Sequence, residues 1–126
     1  MSAPTAARTT APMSAQRREA LFWLAQRASA AALALCVVVH LATMIVAVRG
    51  GLSAAEILAR TRGSMAWMAF YGVFVLAVAI HAPIGLRTVL AESSGGHRRR
   101  LDVAMAGFAL LLLAAGMRAV VAVTVR

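Results

Sequence analysis

The chain has 126 residues, 62% of them apolar, and a formal charge of +9 from 13 basic and 4 acidic side chains. The apolar residues fall in three long blocks, more than a water-soluble core needs, which excludes an ordinary soluble domain. All 13 basic residues are arginine and stand mainly at the ends of those blocks, so the charge reads as membrane topology and not as nucleic-acid binding. The one cysteine, Cys36, lies inside an apolar run, which leaves no disulfide framework and no thiolate metal site.

Residues 1–18 are expected to form a disordered cytoplasmic tail, rich in Ala, Ser, Thr and Pro without an apolar period. The apolar block after it is too long for the core of a secretory signal. The first span, about residues 19–48, would be roughly 45 Å long against a hydrocarbon core of ~30 Å. Its first two turns therefore belong at the interface, with Phe22 and Trp23 as aromatic anchors. Arg49-Gly50-Gly51 ends it, and residues 52–61 read as a short interfacial helix, because Ser53 followed by Glu56 is a capping-box pattern. The second span, about 65–91, opens with Trp67, Phe70 and Tyr71. A polar, basic hairpin from Glu92 to Arg100 leads to the third span, about 101–125, where Gly107 and Gly116 offer small packing surfaces. The expected fold is all-α and integral to the membrane: three transmembrane helices over residues 19–126, with a short interfacial helix between the first two. Eight arginines lie on the side of the N-terminus and five on the other, which places the N-terminus in the cytoplasm.

His81 sits within the second span and must be satisfied by something, since hydrocarbon offers no hydrogen bonds. Pro83 cannot donate a backbone hydrogen bond, and its ring crowds the carbonyl of residue 79, so a kink is expected there. Gly85, one turn beyond His81, leaves its face of the helix bare for a flat ligand. Arg87 follows about 9 Å along the axis, where a propionate could meet it. Imidazole, flat gap and cation make a coherent edge for haem b. A histidine bonded to a neighbouring helix, with Pro83 and Gly85 serving only packing, stays open on spacing alone.

His-x-x-x-Gly-x-Arg followed by an acid, as His81, Gly85, Arg87 and Glu92 stand here, resembles the cytochrome b membrane anchor of succinate dehydrogenase and fumarate reductase. Gln26-Arg27-Ala28-Ser29 is similar to that family's His-Arg-x-Ser segment, with Gln26 in place of the histidine. The resemblance implies that His81 is an axial ligand of haem b, that Arg87 meets a propionate or headgroup, and that Arg27 lies near quinone and propionates. Trp23 stands where some members use a serine toward quinone and is a further candidate contact. His40, in the other half of the first span, differs from His81 in depth by about 13 Å, so the two would not share one iron. It is a candidate ligand of a second haem, completed by a histidine from a partner chain; a satisfied hydrogen bond, for example to Thr43 or to a partner across helices, is the plainer alternative.

These implications make the chain a subunit of a succinate:quinone oxidoreductase in the cytoplasmic membrane of a bacterium, passing electrons from an iron–sulfur subunit to quinone. Its implied partners are the iron–sulfur subunit, a flavoprotein, membrane lipid, and a second hydrophobic anchor or a copy of itself to complete the haem ligation. Two alternatives stay open: a cofactor-free structural membrane subunit, and a small b-type cytochrome serving another dehydrogenase. His97 reads as a solvated loop residue, Arg98-Arg99-Arg100 as an orientation signal, and Arg118 as a snorkelling cation. With 4 acids, none mid-span, no hydrolytic constellation is present.

Overall fold

A computed structural model of the chain describes residues 12–93 and 98–125. Residues 94–97 of the expected polar hairpin, His97 among them, lie outside the described residues, as do residues 1–11 of the N-terminal tail and Arg126. Glu92 and Ser93 end the third helix, and Arg98 to Arg100 begin the fourth. Four helices follow one another: α1 (Met13–Arg49), α2 (Ala54–Thr61), α3 (Met65–Ser93) and α4 (Arg98–Thr124). α1, α3 and α4 are long and apolar enough to cross a membrane. The chain is thus a multi-pass membrane protein with the expected short helix between its first two spans.

α1 starts at Met13, before the apolar block, because Ala15 to Glu19 are mostly good helix formers and extending an existing helix costs little. Pro12 precedes it, at a place where a missing N–H is harmless. Its other end is a Schellman motif: the N–H of Leu52 donates to the carbonyl of Ala47 (3.1 Å) and that of Gly51 to Val48 (3.1 Å). Gly51 supplies the left-handed φ of 68° that this turn requires. α2 begins on the expected capping box, in which Glu56 N–H donates to Ser53 Oγ and both the N–H and the hydroxyl of Ser53 donate to Glu56 Oε2. Ser64 caps α3, which runs on through Pro83 to Ser93.

α3 is the middle helix and packs on both α1 and α4, which scarcely meet each other. The packing reverses the pattern of a soluble protein. Small side chains such as Ser29, Cys36, Ala47, Ala77 and Ala79 are buried, no large side chain is fully buried among the described residues, and many large apolar ones face outward. Lipid is as apolar as leucine, so close approach of backbones, not burial of bulk, holds such helices together. Ser29, Cys36, His40, Thr43 and Ala47 form the α1 seam at nearly heptad spacing. On α4, Gly116 is the corresponding small residue: a Cβ there would fall 2.5 Å from Val75 Cγ1. Gly107, expected to serve packing too, has nothing within 4 Å of such a Cβ.

Candidate functional site

His81 is half-buried where α3 crosses α1. Its Nδ1 lies 3.4 Å from Ser29 Oγ, a long but admissible hydrogen bond. The hydroxyl of Ser29 donates its single hydrogen to the carbonyl of Gln26 at 3.1 Å. With its hydrogen on that carbonyl, Ser29 accepts from His81, and in that arrangement the imidazole proton is on Nδ1 and the lone pair on Nε2. Nε2 has no hydrogen-bond partner among the described residues and is not among the enclosed unpaired atoms, so it is accessible. In metal-ligating histidines the second nitrogen is commonly held by an outer partner in this way. The described residues contain no group of three or more His, Cys, Asp or Glu able to hold a metal ion, so a bare-ion site has no support here.

A family model for the succinate dehydrogenase/fumarate reductase transmembrane subunit matches residues 1–123. The chain belongs to this family. No curated protein and no solved structure matches it. As a transmembrane subunit of this kind, it is one component of a larger succinate dehydrogenase or fumarate reductase assembly.

In this transmembrane subunit, the other predicted site residues separate into four places. Gly85 does face the same neighbour as His81, but the gap beside it is taken: a Cβ on Gly85 would meet Gln26 Nε2 at 3.1 Å. The same amide has its Oε1 enclosed without a hydrogen-bond partner. An orphaned buried amide costs about 1–3 kcal/mol. It is the end of a flexible side chain, so the hollow at Gly85 can be reopened without moving backbone. Arg87 turns toward α4. Its Nε donates to Asp102 Oδ1 at 2.6 Å, and its guanidinium carbon lies 5.5 Å from the Phe22 ring centroid. Arg27 is exposed on α1 and lies over its own neighbour one turn back, 5.1 Å from the Trp23 ring centroid.

His40 stands apart from this group. Its ring meets Tyr71 edge-on at 6.2 Å and Phe74 at 6.3 Å, and its Nδ1 is enclosed without a partner. The Thr43 hydroxyl donates to the carbonyl of His40 at 2.8 Å and not to the ring. Since His40 pairs with Tyr71 and Phe74 while Ser29 pairs with His81, the two histidines sit about 10–15 Å apart along α3. They cannot clamp one iron.

Ser29, Gln26 and Asp102 complete the picture, and sequence reasoning gave none of them a role. Ser29 and Gln26 bracket the arginine of the family-like segment, and Ser29 shares the heptad seam with Cys36, which was the available signal. Asp102 is the one acid in α4, and the first turns of that helix lie level with the last turns of α3.

Proposed function

We propose that this chain is the haem b-binding anchor of its complex, holding the haem on His81 and helping to form a quinone site at the same end of the bundle. The observation that carries the reading is the Ser29–His81 contact, which leaves Nε2 bare at a depth where an unsatisfied imidazole is costly. Haem b, when bound, supplies a one-electron carrier inside the membrane. The chain's own contribution is to hold and orient. Ser29 fixes the tautomer and plane of the His81 ring. Gly85 and the movable Gln26 give room beside it, and the orphaned amide oxygen marks a place that gains from a new partner.

Arg27 and Trp23 form an exposed cation and indole at the interface, suited to a quinone headgroup by a hydrogen bond and a flat contact. Arg87 is engaged by Asp102, so its part is to tie α3 to α4 and to set the local charge, with a propionate as a competitor for its free N–H groups. A second axial imidazole has to come from another chain, because His40 is at the wrong level. The same reading places the N-terminus in the cytoplasm and the iron–sulfur and flavoprotein subunits on that face.

The test is the absorption spectrum of the assembled complex purified with the native chain, His81→Ala or His40→Ala. The native and His40→Ala complexes should show a Soret band and His81→Ala should lose it. A native complex without a Soret band overturns the haem assignment, and a His81→Ala complex with full haem overturns the ligand. Succinate–quinone reductase activity that depends on this chain separates the reading from a cytochrome serving another dehydrogenase.

A further inference from the structure

At the end of the bundle away from His81, α2 is fastened to α4 and not to α1. Thr61 Oγ1 donates to the carbonyl of Val123 at 2.8 Å, and the N–H of Gly63 donates to that of Thr124 at 2.8 Å. These two bonds satisfy carbonyls that the last turn of α4 would otherwise leave open. They also hold α2 off α1. Between α1, α2 and α3 lies a hollow of about 360 Å³, whose walls include Thr43, Ala47, Ile57, Trp67 and Tyr71, with Arg60 among its lining residues. Trp67 and Tyr71 stack on one another along one wall, 5.8 Å between centroids and 25° between planes.

Such a hollow does not suit water, which needs two to four polar partners, because its lining is almost wholly apolar. It suits hydrocarbon. Charge then selects the headgroup. Among the described residues this end carries Arg49, Arg60, Arg62 and Arg118, and Glu56 is its one acid. The one ion pair among the described residues is Arg87–Asp102, at the opposite end. Glu56, one turn before Arg60, is bonded to Ser53 and stands beyond 4 Å of the guanidinium, so it offsets the charge of Arg60 only from a distance. Interfacial aromatics and a guanidinium with no carboxylate in contact, beside an apolar void, are complementary to an anionic amphiphile.

We propose that this hollow binds one acyl chain of an anionic phospholipid from the leaflet at the C-terminal end, with the lipid phosphate against Arg60. The site is separate from the haem and quinone positions and stands whether or not those assignments hold.

Trp67 is a built-in probe, because the chain has only 2 tryptophans and Trp23→Phe leaves Trp67 alone. The full chain carrying Trp23→Phe is reconstituted in phosphatidylcholine vesicles containing a minor fraction of chain-brominated phosphatidylglycerol or chain-brominated phosphatidylcholine. Bromine quenches the indole on contact. Brominated phosphatidylglycerol should occupy the site about fivefold more readily than brominated phosphatidylcholine, the effect of one arginine near the surface. Arg60→Gln should abolish that preference, Arg118→Gln should keep it, and Ala42→Phe, which fills the hollow from its exposed side, should reduce quenching by both lipids. Helical circular dichroism checks that each variant is folded. Equal quenching by the two headgroups, or the same loss from Arg118→Gln as from Arg60→Gln, overturns the proposal. Absence of quenching by either lipid also overturns it and means that a protein surface covers the hollow.

Discussion

Ser29 Oγ and His81 Nδ1 stand 3.4 Å apart and join α1 to α3 at a histidine whose second nitrogen has no partner among the described residues. Ser29→Ala removes the acceptor that fixes the imidazole tautomer. Outer partners of metal-bound histidines are worth about 10–100-fold in affinity, and a contact this long belongs at the lower end. We expect Ser29→Ala to speed haem loss from the assembled complex about tenfold, with fold stability lowered by no more than about 1 kcal/mol. Transfer of haem to excess apomyoglobin measures the first, and thermal unfolding of the complex the second.

Gly116 and Gly85 look alike in sequence and should behave in opposite ways. A Cβ on Gly116 would sit 2.5 Å from a methyl group of Val75, a branched side chain packed between two helices. Gly116→Ala should therefore force α3 and α4 apart and cost about 1–3 kcal/mol, and Val75→Ala in the same chain should recover most of it. A Cβ on Gly85 meets only the end of Gln26 at 3.1 Å, which can swing away. Gly85→Ala should leave unfolding nearly unchanged yet lower haem content. Steric-trapping or thermal measurements on both variants, with haem quantified alongside, check the contrast.

Arg87 and Asp102 form the one ion pair seen among the described residues, at side-chain exposures of 26% and 43%. At that exposure screening limits the pair to under about 1 kcal/mol. Asp102→Asn should thus lower stability only slightly. Its clearer effect should be electrostatic: removing a negative charge at the His81 end favours the reduced haem, so the midpoint potential should rise. Redox titration of the Asp102→Asn complex reads the direction, and a fall in potential would contradict the placement of haem at this end.

The spans were readable from composition because a bilayer admits few alternatives, and α2 was readable because Ser53 and Glu56 form a local device. The partners across helices were not, because nearly every position of α1 and α3 is apolar and hydrophobic periodicity no longer marks the inner face. Size marks it instead, as the seam from Ser29 through Cys36 to Ala47 shows. Arg87 illustrates the same limit. Six residues past His81, it lies about 120° around the helix and faces Asp102, whereas Gly85, four residues past, shares the His81 face and meets Gln26.

Glu56 provides the pH prediction. Its carboxyl is held below the usual carboxylate range first by the hydrogen bond from the Ser53 backbone N–H, then by the Ser53 hydroxyl, with a smaller contribution from Arg60. A carboxylate depressed in the folded state stabilises above its ordinary pKa, and that contribution is lost as pH falls through the lowered value. The cap on α2 should therefore persist through mildly acidic conditions and fail only below the ordinary titration range of a glutamate. Ser53→Ala removes the hydroxyl but keeps the backbone donor, so it should raise the Glu56 pKa only part of the way back. The carboxyl carbon shift of Glu56 followed by NMR across pH checks both steps. A native Glu56 titrating at the value of a free glutamate would mean that the capping box does not form in the membrane-bound chain.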